Sequence, residues 1–420
     1  MTDATAEVTG PLVTADGRPL KAALARAQAR AKWRAFGLVF PLLLFVLLTF
    51  VVPIGGILWQ SVHNDAFTAN MPRMVAWFQA NPQGTEPDEA AYTALVEDLK
   101  AAYKDHTAGK IGTRVNYEMS GTRSLFTKTA RHAKRLEPPY KEAVLKVDKD
   151  WANPALWEAM RQVAPAVTEN FYLAAIDKTH NAEGKIVDVP KNRQIYVKLF
   201  VKTLLLSALI TFLCFLLGFP VAHLLAVLPM RISNLLMILV LLPFWTSLLV
   251  RTTSWIVLLQ SEGVINDILV SLHLIGNDNR LQMIYNSTGT VVAMTHILLP
   301  FMILPLYSVM RPIPPSYVRA ARSLGATSWT AFRRIYFPQT VPGIGAGSLL
   351  VFILAVGYYI TPALVGGAKG QLISNLIAYH ITKSLNWSLG AALAAILLAA
   401  ILLLYWLYDK LIGIDNLKLG

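Results

Sequence analysis

The chain of 420 residues has one cysteine, Cys214, which lies inside an apolar run, so no disulfide can staple any part of the molecule. Its expected role is that of a small apolar packing residue. Charge is scarce as well: 15% of residues are Asp, Glu, Lys or Arg against 55% hydrophobic, a balance too apolar for an ordinary soluble enzyme. The sequence contains no G-x-x-x-x-G-K-[ST] loop, H-E-x-x-H, G-x-S-x-G or paired C-x-x-C. The common nucleotide, zinc and hydrolase chemistries are therefore not expected, nor is ATP hydrolysis by this chain alone. No catalytic residue is assigned, and His63, His106, His132 and His180 are scattered without the spacing of metal ligands. Gly343-Ile344-Gly345-Ala346-Gly347 opens an apolar run and follows no strand, so close helix packing explains it better than phosphate binding.

What is present in quantity is apolar length. Six runs reach the roughly twenty residues that cross a bilayer: Ala35 to Trp59, Val201 to Leu225, Leu235 to Leu259, Thr290 to Met310, Gly343 to Ile360 and Leu389 to Tyr408. The expected class is an all-α integral membrane protein of six transmembrane helices. The first run follows a tail of more than thirty residues and no small-residue cleavage pattern comes after it, so it reads as a retained helix. Lys21, Arg26, Arg30, Lys32 and Arg34 precede it and hold the N-terminus in the cytoplasm by the positive-inside tendency. Six crossings return the C-terminus to the same side. Arg231, the arginines from Arg311 to Arg334, Lys410 and Lys418 then all fall on cytoplasmic connections. The net charge of +13 thus sits at membrane borders, where orientation and anionic lipid account for it, and nucleic acid is not an expected partner.

Residues 60–196 break the membrane pattern with a stretch of ordinary soluble composition, placed outside the cytoplasm by the topology. Asp88 to Asp105 and Trp151 to Val163 carry apolar residues at helical intervals, so the insertion is expected to be folded and mostly helical. The organisation is a basic tail over 1–34, a first span over 35–59, the periplasmic insertion over 60–196, a membrane core over 197–408 and a cytoplasmic tail over 409–420.

The most specific segment is Arg319-Ala320-Ala321-Arg322-Ser323-Leu324-Gly325, followed at a fixed gap by Ile335-Tyr336-Phe337-Pro338. It reads as two short helices: Ser316 caps the first, Gly325 supplies the left-handed residue that ends it, and Thr327 or Ser328 starts the second. Trp329, Phe332, Ile335 and Tyr336 recur at helical spacing and are expected to anchor the second helix to the bundle, leaving Arg322, Arg333 and Arg334 wet.

This segment resembles the EAA loop of binding-protein-dependent ABC importers, departing at Arg319, where that family commonly has glutamate. The likeness extends to Leu217 to Ala222, Leu242 to Ser247 with Arg251, Leu299 to Tyr307 and Gly347 to Phe352. It covers the first span and nearly everything from Val197 onward, but not the insertion. Together these stretches are similar to the permeases of spermidine/putrescine-type importers. The resemblance implies a type I ABC importer permease fold in the bacterial inner membrane. It implies a cytoplasmic ABC ATPase dimer holding ATP and Mg, a second and unlike permease subunit, and a periplasmic substrate-binding protein, with no cofactor in this chain. Arg319, Ala320, Ala321, Leu324, Gly325, Ile335 and Pro338, within a loop spanning 311–342, would grip the ATPase.

The pathway candidates are Trp245, Thr246, Arg251, Trp255, Tyr358 and Tyr359. Arg251 either lines the outer mouth, snorkels to the interface or pairs with Glu262 or Asp267. A polyamine wants carboxylates and aromatic faces, and these spans offer aromatics without acids. The cargo is therefore either a polyamine-like solute selected by the binding protein, or an opine or amino-acid-like solute. The rival class, an ion-coupled secondary transporter or channel, would place acidic groups at mid-membrane. The spans contain no Asp or Glu, and Arg251, His223 and His296 stand out there instead.

Overall fold

The computed structural model describes residues 20–181 and 185–412. The expectations for the tail before residue 20, for Lys418 and for the side chains of Lys21 and Arg26 lie outside the described residues. The chain divides into two units, Met1–Trp59 and Gln60–Gly420.

In the first unit, helix begins at Leu20 and passes through a π turn at Leu47–Val51 into Val52–Gln60. The helical stretch that carries its apolar run, Ala27–Gln60, has 34 residues, with Arg30, Lys32 and Arg34 near its start. At 1.5 Å per residue that is about 51 Å of helix, well beyond a hydrocarbon core of about 30 Å.

Among the described residues five helices are long and apolar enough to cross a bilayer. They are Ala27–Gln60, Tyr196–Val227, Ser287–Met310, Ser328–Gly357 and Trp387–Lys410, and a bent pair makes a sixth if it counts as one crossing. That pair corrects the third expected span. Leu235 to Leu259 is not one helix: Met230–Trp245 and Leu248–Ser271 meet at 95°. Pro243 cannot donate to the helix ladder, a 3-10 turn runs over Leu242–Trp245, and Ser247 caps a new helix at Val250 N, 3.2 Å away. The fifth span also shifts. Its helix begins at Ser328 and stops at Gly357, with Tyr358 in extended conformation.

Three helices, Tyr196–Val227, Ser287–Met310 and Phe337–Gly357, share a core that includes Cys214, Met294, Leu298, Met302, Leu306 and Val351. Small residues permit the contact. A Cβ on Gly347 would stand 2.8 Å from Met302 Sδ, and one on Gly218 would stand 3.1 Å from Met302 Cγ, so Met302 fills the space both glycines leave. Between Tyr358 and Trp387 the chain makes only short helices, Ile360–Val365, Gly367–Gly370 and Ile373–Thr382. Side chains satisfy the freed backbone, as non-helical chain at membrane depth requires. Ser374 Oγ donates to Tyr358 O at 2.6 Å, Asn375 Nδ2 to Tyr359 O at 2.7 Å, and Lys202 Nζ to the carbonyls of Lys369 and Gln371.

The insertion builds its own core around Trp151, which is fully buried. The Trp151 indole donates to Thr129 Oγ1 at 2.8 Å, and its carbonyl accepts from Tyr92 Oη and Trp157 Nε1. Asp88 caps the Glu89–Lys104 helix through Ala91 N at 2.9 Å. The second expected helix starts later than Trp151: Lys149–Ala152 is a 3-10 turn, and Asn153 caps a helix over Pro154–Val163. One two-stranded antiparallel pair, Lys178–His180 with Ile186–Asp188, is the strand content of an otherwise helical insertion among the described residues.

The insertion joins the membrane core firmly. Phe171 and Ala175 pack with Val356, Leu389 and Leu393, while Asn64 Nδ2 donates to Ser388 Oγ at 3.1 Å and Tyr117 Oη to Leu385 O at 3.3 Å. These contacts gather where Phe337–Gly357 ends and Trp387–Ile412 begins, at the opposite end of the bundle from the 319–338 loop. Asp177, only 6% exposed, accepts from the backbone N–H groups of Ile195, Tyr196 and Val197 at 3.0, 3.1 and 2.8 Å. It satisfies donors at the start of Tyr196–Val227 that have no carbonyl partner within the helix.

Candidate functional site

The 319–338 loop is organised by a local hydrogen-bond pattern. The helix Pro315–Ser323 closes with Ala326 N to Ala321 O and Gly325 N to Arg322 O, both 3.0 Å, around a left-handed Gly325 at φ +89°. This is the Schellman arrangement that ends a helix on a glycine. Thr327 starts the next helix through Thr330 N at 3.2 Å. Ser316 is not the cap of the first, because that helix begins at Pro315 behind Pro314. The second helix continues through a π turn, Phe332–Tyr336, into Phe337–Gly357, so the loop and that span are one piece.

Side chains divide sharply across this turn. Val318 and Phe332 pack toward the bundle core, Tyr336 is buried, and Ile335 is half-buried. Arg319, Ala320 and Gly325 face outward, Ala321 is half-buried, and Pro338 is exposed near the start of the following helix. Leu324, at the tip, is 89% exposed. Trp329 is 68% exposed and rests one face on Phe332, with ring centroids 5.8 Å apart, so it is not the buried anchor its spacing suggests. Arg311 donates to the carbonyls of Ala226 and Leu228 at 2.7 and 3.1 Å, tying the loop to the end of Tyr196–Val227. His223 Nδ1 and Tyr336 Oη make a second tie at 2.9 Å.

At the other end of the bundle, four groups come together. Trp255 Nε1 donates to His296 Nδ1 at 3.1 Å, and Arg251 lies within electrostatic range of both His296 and Tyr358. Thr252 and Thr361, buried beside them, share a bond of 3.2 Å. Arg251 forms no ion pair among the described residues, and its buried Nε has no hydrogen-bond partner. Asp267 pairs with Arg280 at 2.9 Å instead. Trp245 and Thr246 stand apart on the exposed break, Trp245 being 74% exposed, and Tyr359 faces outward beyond the end of its helix. His296, Lys202 and Asp177 were not among the expected site residues. Lys202 had the plainest signal, a cation in an apolar run.

Outside the spans, two charged groups of the insertion are held in unusual surroundings. Burial pushes the Asp98 carboxyl up, against the opposing pull of Met74 N–H at 2.9 Å and of Arg73. Burial pulls Arg114 down, against Glu118 at 3.1 Å, while its guanidinium lies 4.8 Å from the Phe171 ring.

Comparison with known proteins gives this geometry a context. Spermidine/putrescine transport system permease protein PotB of Salmonella typhimurium strain LT2 is 36% identical over 222 residues, covering 52% of this chain and 77% of the relative. The protein of that name from Escherichia coli K12 is 35% identical over 222 residues, covering 52% and 80%. A solved bacterial ABC transporter involved in the import of the acidic polysaccharide alginate aligns at a TM-score of 0.42 and 22% identity, over 51% of this chain and 79% of that one. Residues 200–412, which hold both the loop and the Arg251 cluster, match the binding-protein-dependent transport system inner membrane component, and the chain belongs to that family of ABC importer permeases.

Proposed function

We propose that this chain forms one half of the translocation pathway of an ATP-driven importer for a polyamine-like organic solute, delivered by a periplasmic binding protein. The carrying observation is the likeness to two spermidine/putrescine permeases across the membrane core, at 36% and 35% identity. The chain itself is non-catalytic. ATP and Mg belong to a cytoplasmic ATPase dimer docked on the exposed turn at Leu324, and a second, unlike permease completes the pathway. Both termini are cytoplasmic, and the insertion at the opposite end of the bundle faces the binding protein. Support for the coupling role comes from the turn's construction: it is exposed at its tip yet continuous with a core helix, so a push on Leu324 is carried into the bundle.

A second cargo, an opine or amino-acid-like solute, is favoured by Arg251. A cation without a carboxylate suits a cargo that brings a negative group of its own.

The test is purification of the tagged chain in mild detergent, identification of its companions, and vanadate-sensitive ATPase and uptake assays in proteoliposomes. Recovery of an ATPase, a second permease and uptake of labelled putrescine supports the proposal. Uptake of amino-acid derivatives alone transfers it to the second cargo. A lone polypeptide without ATPase sinks both.

A further inference from the structure

We infer that the ATPase cleft receiving this loop is acidic, with carboxylates opposite Arg319 and Arg322, and that the permease selects its own ATPase by that charge. The inference rests on the importer reading above.

Residues 311–342 contain five arginines, Arg311, Arg319, Arg322, Arg333 and Arg334, and no Asp or Glu. The chain has no acidic residue at all between Asp278 and Asp409. Arg311 is engaged with backbone carbonyls, but Arg319, Arg322, Arg333 and Arg334 are exposed and form no ion pair among the described residues. Orientation in the membrane accounts for basic residues on this side of the bundle. It does not account for their position around an apolar tip.

Arg319 and Arg322 are three residues apart on one short helix, Pro315–Ser323, capped by Leu324, and the exposed Trp329 lies on the helix that follows. An exposed leucine beside arginines is the composition of a protein contact, with an apolar anchor and a polar rim. When a partner covers Leu324, the neighbouring guanidinium groups lose water. No carboxylate of this stretch can replace it, so the partner must supply the counter-charge or the desolvation goes uncompensated. The sign of the cleft follows from that requirement.

The experiment uses the whole complex in nanodiscs, with Arg319→Lys and Arg319→Glu variants. Arg319 is exposed, so neither change disturbs packing. R319K is expected to keep the ATPase and, on treatment with a carbodiimide, to form an amide with an Asp or Glu of it, located by mass spectrometry. R319E is expected to retain at least tenfold less ATPase at low salt, like charges facing each other being worth several kcal/mol. Reversing the cross-linked carboxylate to Lys should restore retention. Retention unchanged in R319E and insensitive to salt overturns the inference and leaves the importer reading intact. Loss of bound anionic lipid from R319E with full ATPase retention also overturns it, assigning the patch to the membrane surface. If the wild-type chain recovers no ATPase, the importer reading fails and the inference falls with it.

Discussion

The Tyr336 hydroxyl lies 2.9 Å from His223 Nδ1, joining the helix after the loop to the helix that begins at the insertion. Tyr336 also stacks on Phe332, centroids 5.9 Å apart, so the ring is held by packing and the hydroxyl adds direction. Tyr336→Phe should preserve the fold and remove the tie. Interhelical hydrogen bonds in membranes are worth about 0.6 kcal/mol on average, near threefold in an equilibrium. The expected outcome is a two- to threefold fall in cargo moved per ATP in proteoliposomes, with hydrolysis maintained. An unchanged ratio would show that the tie carries no coupling.

Gly325 offers a second test because its constraint is purely conformational. It sits at φ +89° with nothing within 4 Å of the place a Cβ would occupy, so a side chain there meets backbone strain but no clash. A left-handed residue other than glycine costs about 1–2 kcal/mol, least for Asn and most for a β-branched side chain. Uptake should therefore decline in the order Gly325→Asn, Gly325→Ala, Gly325→Val. Equal activity in all three would mean that the left-handed turn is dispensable.

Asp177 binds the insertion to the membrane core by accepting three backbone N–H groups of residues 195–197. Asp177→Ala leaves those donors unpaired at the helix start, and loss of a cap costs about 0.5–2 kcal/mol. Amide hydrogen exchange at Ile195, Tyr196 and Val197 should quicken by about tenfold, while the Trp151 core stays protected. Uniform quickening across the insertion would point to global unfolding instead.

The insertion should also respond to pH through Asp98. Burial raises its carboxyl in the folded state, so the fold holds this proton at pH values where the unfolded chain has released it. Its contribution therefore favours folding at low pH and is lost as pH rises through the window from the ordinary carboxylate value up to the raised one. Asp98→Asn should flatten that part of the stability profile, measured by urea unfolding of the insertion's tryptophan signal at several pH values. Arg73→Ala removes an opposing pull and should widen the window. An identical pH slope in wild type and Asp98→Asn would contradict the assignment.

How much was legible beforehand depended on the distance between cause and effect along the chain. The loop around Gly325 was readable because its bonds run between residues 320 and 330 and its glycine and threonine sit where the motif demands. The helix over Glu89–Lys104 was readable for the same reason, its apolar residues recurring at helical intervals. Ser316 misled because Pro315, one residue earlier, already suits a helix start. Trp329 misled because helical spacing reports a face of its helix, not whether another element covers that face.

By itself the sequence determined the membrane class, the number of apolar runs, the interposed stretch without a spanning run and the glycine turn, since bilayer thickness and local backbone preference act through neighbouring residues. Tertiary structure alone decided that Leu235 to Leu259 bends by 95°, that His296 meets Trp255, that Arg251 pairs with no carboxylate among the described residues, and that Asp177 caps a helix beginning nineteen residues later. Each of these is a partnership between distant segments, and satisfying buried polar groups is settled only when those segments pack.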